Sequence, residues 1–573
     1  MPNLLAPTCR AQPLLWCGCL AFLLCGCDSS TPTRTMRGGS QAASQGESLL
    51  DNLVTMLGDL EKINQQRILE EKQEQQVQRS AIVVVRFTNP QTLDGIVDRL
   101  NQWIETESPD EKWKLDPLFQ TLPEPLRRQT QLAETLGGMK FNRASAWPGF
   151  AYHDGWALQE AFWLRDAAQY AAGDKIDSLN QASRLFDWTV RNIQLEDPNQ
   201  PVSGADGITW AEVPLQPWHA LLLGRGLAEH RAWVFMLLAR QQGLDVVMLG
   251  LADGEDAEIR DWIPALVADG QLYLFEPRLG LPVPGPDGHG VATLKQALDQ
   301  PEILANLDVP DFPYPVHQEQ LQNARRFALL EASPLYLSHR GQILQSQVPS
   351  NRRPVLSTNP TTVAERVQKA AGDQVQGVKL WQRPYRNLVE MEQLAEPSQR
   401  QLENLLRPFE LAATLWNGRV KQVRGQLEGS EGALHYYLES HPPDEIIDTA
   451  PGLTEPLRRA WHLAKGHAEY WFGVIDEERG NHLSAMKHLY RWLESSKHTT
   501  FRSGAYYTLG RACESLALKE QQAGHAEMAQ EWLAKAVEAY SHEEVAASPQ
   551  RAGNLLRAKQ LQASFPPKAT DSP

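Results

Sequence analysis

The chain has 573 residues, 42% of them hydrophobic and 22% charged, with a formal net charge of −15. At roughly 150 residues per domain it has room for about three or four units. The acid excess argues against nucleic acid, which needs surplus Lys and Arg to neutralise phosphate, and against a polybasic membrane patch.

Six cysteines are present: Cys9, Cys17, Cys19, Cys25, Cys27 and Cys513. None falls between Asp28 and Ala512. That gap excludes a disulfide framework, a Cys-rich zinc site and any mid-chain cysteine nucleophile.

Residues 13–26 read PLLWCGCLAFLLCG, with Arg10 before and Asp28, Ser29 and Ser30 after. A basic start, a short apolar run and small residues at its end describe a secretory signal over 1–27. The run is short for a membrane span. Leu24-Cys25-Gly26-Cys27 resembles a bacterial lipobox. That resemblance implies cleavage before Cys27 and acylation of its sulfur, which would hold the exported body at a membrane of the cell envelope. Cys19 is a second, shorter candidate, and an ordinary signal peptide is the plain alternative.

Residues 28–47, rich in Ser, Thr, Gly and Gln, predict a disordered tether. Leu49, Leu50, Leu53, Met56, Leu57, Leu60 and Ile63 recur at helical spacing before EEKQEQQVQR. This predicts a helical stalk or short coiled coil over 48–80, or else a helix packed on the body. Residues 81–140 read as a mixed α/β region opening on the strand-like AIVVV at 81–85.

From 141 the composition shifts. Eight of the 17 tryptophans lie between 141 and 300: Trp147, Trp156, Trp163, Trp188, Trp210, Trp218, Trp233 and Trp262. Such density fits a packed core or the lining of a peptide or glycan groove. Two amphipathic helices are predicted over 156–193, followed by a loop over 192–207. An apolar helix spans 228–242, with Gly243 as its natural C-cap. A β-rich LDVVML at 244–249 follows, then two apolar runs flanking Asp269-Gly270, a strong hairpin signal. Helix then three strands predicts an α+β core with an antiparallel sheet over 141–345. The scattered prolines of 346–400 read as a connector, and 401–565 reads as all helical.

The helix-strand-strand-strand order over about 180–290 resembles the transglutaminase-like (papain-like cysteine protease) superfamily. In that family a Cys opens the core helix, a His begins the next strand as H-A-W, and an Asp ends the following strand before Pro. The helix N-terminus favours a thiolate, the imidazole takes its proton and the carboxylate orients the imidazole. Gly224-Arg225-Gly226 forms the lead and Ala232, Phe235, Leu237 and Leu238 the apolar register; Trp262 matches the Trp of H-A-W, and Phe275-Glu276-Pro277 the last strand end. The resemblance therefore assigns the nucleophile position to Ala228, the base position to Arg260 and the orienting position to Glu276. Ala228 has no nucleophile, and a guanidinium does not release its proton near neutrality. Shifting the alignment by one residue brings Leu227 or Glu229, and neither restores a thiol. Arg260 and Glu276 are expected either to pair beneath Ala228 or to leave a cleft that binds a peptide or carboxylate. Candidate ligand contacts are Arg260, Glu276, Trp262, Trp218 and His230.

His219, Glu229 and His230 lie close together but lack H-E-x-x-H spacing, and the acids at 253–258 lack calcium-loop spacing. No metal or cofactor is implied. Toward the C-terminus, Tyr470, Phe472, Gly473, Gly480 and Ala485, then Tyr506, Leu509, Gly510, Gly524 and Ala529, resemble two tetratricopeptide (TPR) helix pairs, with a degraded third at 403–440; a generic helical bundle is the alternative. The expected function is a non-catalytic, lipid-anchored envelope protein that binds protein or peptide partners. The alternative is a hydrolase or acyl transferase acting on envelope peptides through a non-cysteine nucleophile such as Ser203, or a metal.

Overall fold

The computed structural model describes residues 90–107, 113–128, 139–140, 148–202, 207–255, 257–348, 353–451, 453–495 and 500–565. Cys27, the signal sequence, the tether, the stalk and the strand expected at 81–85 lie outside the described residues, as do Trp147 and Ser203. Among the described residues no helix is long and apolar enough to cross a membrane.

Helix α1 (Pro90–Ile104) packs Ile96, Leu100 and Trp103 against Leu158 and Phe162 of α2 (Tyr152–Ala172). Helix α3 (Ser178–Asn192) starts where the Asp177 carboxylate accepts the backbone N–H of Asn180 at 2.9 Å, an N-cap bond. After α3 the chain forms a short strand, β1 (Gln194–Leu195). It runs parallel to β2 (Arg225–Gly226), which follows α4 (Pro217–Leu223). Gly224 joins α4 to β2 at φ +64°, a left-handed conformation that favours glycine. An added Cβ there would also lie 2.4 Å from the Trp471 ring.

Helix α5 (Ala228–Gln241) is buried on all sides from His230 to Ala239, the mark of a central helix rather than a surface one. It leads into β3 (Val246–Ala252), β4 (Arg260–Ala268), β5 (Gln271–Glu276) and β6 (Leu281–Pro282). Asp269 and Gly270 join β4 to β5 with φ of 50° and 69°, the signature of a type I′ hairpin turn. Two strands come from farther along the chain: β7 (Arg325–Leu330) and β8 (Gly377–Leu380). The sheet order is β8-β7-β3-β4-β5-β6.

The sheet is mixed, since β8 runs parallel to β7 while the other pairs are antiparallel. This corrects the purely antiparallel expectation within an α+β architecture. It also corrects the reading of 346–400 as a connector. That stretch folds as α6 (Pro360–Ala371), the edge strand β8 and α7 (Arg383–Glu392). Pro360 and Pro384 open helices rather than mark a linker: they sit in the first turns of α6 and α7, where the missing N–H costs nothing.

Strand β3 is buried on both faces. Val246 and Met248 join the core around α5, while Val247, Leu249 and Leu251 join a second core that includes Val367 and Ala371 of α6. The sheet is thus sandwiched between helices, which explains an apolar run with no polar alternation.

The helical half includes α8 (Glu396–Leu411), α9 (Ala413–Val423), α10 (Ala433–Glu439), α11 (Glu455–Glu478), α12 (His482–Ser495), α13 (Arg502–Gln522), α14 (Ala526–Ser541) and α15 (Arg551–Ser564). α11 pairs with α12 and α13 with α14. A Cβ at Gly473 would press on Leu489, and one at Gly510 on Tyr540, so small residues set the close approach within each pair. One continuous apolar core runs from Trp163 through Trp416 and Trp471 to Phe565. The sheet-bearing half and the helical half therefore share a core. The first helices of both pairs face this chain's own fold: Arg511 on α13 pairs with Asp187 on α3 at 2.8 Å, and Trp471 on α11 lies against Gly224. Arg419 of α9 is fully buried, donates to Leu221 O, Asn192 Oδ1 and Asn192 O at 2.9–3.0 Å, and stacks on Trp471.

Candidate functional site

Helix α5 begins at a pocket of about 490 Å³. Ala228 and Glu229, its first two residues, form part of the wall. Asp261 and Trp262 enter from β4, Pro277 and Arg278 from the end of β5, and Leu195 to Pro198 from the segment after α3. Pro549, on the connection between α14 and α15, completes the rim, so both halves of the chain build the pocket. Its described lining contains no Ser, Thr, Cys, His, Tyr or Lys side chain.

Ala228 thus occupies the helix start that the family resemblance assigns to the nucleophile. Arg260 does not join it. It is exposed, pairs with Asp253 at 2.7 Å and lines a neighbouring cavity instead. The expected Arg260–Glu276 pair is absent, and the cause lies in the β3–β4 register. Leu249 faces Ile263, but Gly250 faces Asp261, so the ladder slips at Trp262. Such a bulge re-aims the side chains beside it. Gly250 permits the close approach: a Cβ there would lie 2.4 Å from Ile259. The slip presents Asp261 and Trp262 to the pocket and leaves Arg260 outside.

Glu276 is fully buried beneath the pocket. It accepts the Tyr314 hydroxyl and the backbone N–H of Arg278 (2.9 Å), and lies 3.4 Å from the Arg278 guanidinium. Tyr314 in turn accepts Trp262 Nε1–H at 3.1 Å. Glu276 therefore orients an arginine and a tyrosine, and through Tyr314 it fixes the Trp262 ring on the pocket wall. The Glu276 carboxylate raises the pKa of Arg278 further, so that guanidinium is a permanent cation.

Asp261 accepts Trp381 Nε1–H at 2.8 Å and stays in contact with solvent through the pocket. Desolvation by the surrounding protein is the largest influence on its carboxyl, and the nearby Glu229 adds to it. Together they outweigh the Trp381 bond and push its pKa up to about 6. Glu229 itself pairs with Arg383 of α7 at 2.9 Å.

Two expected ligand contacts turn out to be structural. His230 is buried, and its Nδ1 accepts the Leu227 N–H at 3.0 Å, capping α5. Burial drives its pKa down to about 3, so it is neutral and cannot serve as a cation. His219 caps α4 in the same way, accepting the Gln216 N–H at 3.1 Å. Trp218 stacks on Trp156 at 4.2 Å, and its backbone N–H donates to the buried Glu160 at 2.9 Å. It lies outside the pocket lining, and of the described tryptophans between 141 and 300 Trp262 alone is part of it. The rest are core.

Sequence reasoning missed Asp261, Arg278, Tyr314 and Arg231. Arg231 was legible as a charged residue at the edge of the apolar run that fills α5. It is buried and donates to Ile193 O (2.8 Å), Pro277 O (3.0 Å) and Gln550 Oε1 (2.7 Å). Those three acceptors belong to the segments that carry Leu195, Arg278 and Pro549 to the rim. Among the described residues no group of three His, Cys, Asp or Glu side chains is placed to hold a metal.

Compared with known proteins, the chain matches no family model, no curated protein and no solved structure.

Proposed function

We propose that this chain is a non-catalytic, lipid-anchored envelope protein in which a degenerate transglutaminase-like domain keeps the cleft of a thiol enzyme as a peptide-binding pocket. The observation that carries the reading is Ala228 at the start of a buried helix, opening into a pocket of about 490 Å³. A concave, largely apolar pocket with a few fixed polar groups is the usual form of a ligand site. Where a nucleophile would be needed there is a methyl group. The TPR-like helix pairs act as scaffold, because their first helices are seated on the domain they support. Protein partners would meet the outer helices of those pairs.

The test uses the full-length protein and a mixed library of short peptides, read by affinity-selection mass spectrometry. Peptides are expected to be retained and recovered chemically unchanged. Ala228→Trp, which fills the pocket from a half-exposed helix terminus, is expected to abolish retention. Hydrolysed or acyl-transferred peptides would overturn the non-catalytic reading. Retention indifferent to A228W would overturn the assignment of the pocket.

A further inference from the structure

The pocket beside Ala228 does not end at Asp261. Glu229 and Asp261 also line a second cavity of about 260 Å³, which extends over β8 and α7. The two cavities share those walls and form one groove across the N-terminus of α5. The first compartment is mainly apolar; the second is charged.

Nearly every charge along the groove already has a partner. Arg260 pairs with Asp253 (2.7 Å), Arg383 with Glu229 (2.9 Å) and Glu390 (3.1 Å), and Arg386 with Glu258 (2.5 Å). In the apolar compartment Arg278 pairs with Glu276 and Glu196 with Arg225. Among the described residues, two groups of opposite sign in the charged compartment have no counter-ion within ion-pairing distance: Asp261 and Lys379. Neither is loose. Asp261 is held by Trp381 Nε1, and the Lys379 ammonium sits 4.7 Å over the Phe327 ring. Charges fixed in place before a ligand arrives cost little to organise on binding. Asp197, at the far lip of the apolar compartment, adds a further carboxylate there; among the described residues it accepts the Asn199 N–H.

We propose that the groove binds a zwitterionic, peptide-like ligand, with an ammonium group on Asp261 and a carboxylate on Lys379. This rests on the peptide-binding reading and specifies its chemistry. Complementary fixed charges select against partners that lack one of the two poles.

The test uses full-length protein and trialanine in three forms: both ends free, N-acetylated, and C-amidated. Affinity is read by ligand-observed NMR titration. Free trialanine is expected to bind, and blocking either end to weaken it roughly tenfold or more, the effect of about 1.4 kcal/mol. The acetylation penalty is expected to vanish in Asp261→Asn, and the amidation penalty in Lys379→Gln. Each variant retains the other's preference, a readout that general loss of folding would not give. Penalties that persist in the variants overturn the assignment of the two residues. Blocked forms that bind wild type as well as free trialanine overturn the zwitterion rule but leave peptide binding standing. Library peptides that are retained while no trialanine form binds would likewise overturn the zwitterion rule alone.

Discussion

Arg231→Met tests whether the pocket rim is tied together from beneath. The guanidinium is buried and, among the described residues, has no carboxylate within ion-pairing distance. Its three bonds all go to neutral carbonyl oxygens, at Ile193, Pro277 and the Gln550 side chain. Burial lowers its pKa from 12.5 to about 10, so the cation is retained at neutral pH at a cost of about 3 kcal/mol. Methionine removes that cost and fills similar space. It also leaves three buried acceptors unmet, at about 1–3 kcal/mol each. The loss outweighs the gain, and the expected net destabilisation is roughly 3 kcal/mol. The sharper readout is its location. Hydrogen exchange at pH 7 is expected to rise together at 193–198, 277–280 and 549–565, because one side chain holds all three segments. Denaturant unfolding supplies the overall change, provided the slope with denaturant stays constant. Unchanged protection in those three segments would refute the reasoning, whatever the stability.

Three further outcomes are expected. Glu160 is buried with its pKa raised from 4.5 to about 8, chiefly by desolvation and despite the Trp218 N–H bond. Its folded pKa lies above the unfolded one, so the stability it contributes is fully present below about pH 4.5 and is lost as pH rises through about 8. Glu160→Gln should flatten that decline and stabilise the protein at pH 9 by on the order of 3–5 kcal/mol; a variant with the same pH profile as wild type would contradict this. Ala228→Cys should not restore a nucleophile, because Glu229 and Asp261 oppose the helix end and both nearby histidines are neutral caps. Its alkylation rate by iodoacetamide at pH 7 should not exceed that of free cysteine, and rapid alkylation at pH 6 would show an activated thiolate. Gly224→Ala meets the buried Trp471 ring in a left-handed conformation that itself costs about 1–2 kcal/mol. A melting temperature unchanged from wild type would mean that the helical half is not docked there.

How far the site could be read from sequence depends on how local its causes are. Helix α5, its Gly243 stop and the Asp269-Gly270 hairpin rest on periodicity and turn chemistry within a few residues, and the structure has all three. Ala228 at the start of α5 was legible for the same reason. The β8 strand was not. Its four residues gain their strand character from pairing with β7, some 50 positions earlier, and isolated propensity carries little of that. The same holds for the side chain that β4 gives to the cleft. Counting from Trp262 in a regular strand points to Arg260, because alternate residues share a face. The bulge reverses this, and its cause is the fit of Gly250 to Ile259 across the sheet.

Some non-local features nonetheless leave a trace. Arg231 leads the apolar run of α5 and Arg419 lies in a mixed stretch of α9, and at either position burial of an unpaired cation would be costly. Such a residue persists only if several acceptors converge on it, and both do meet three oxygens drawn from separate segments. Arg231 gathers the ends of α3 and β5 with the start of α15; Arg419 gathers α3 and α4 beneath Trp471. A charge at the edge of an apolar helical run, as at Arg231, is therefore a sequence-level sign that distant segments meet there, even when the sequence does not say which. In this chain the segments gathered by Arg231 are those that frame the pocket. The rim of the cleft thus depends on a packed cation one turn below Ala228, and substitution at Arg231 should alter ligand affinity although it never touches the ligand.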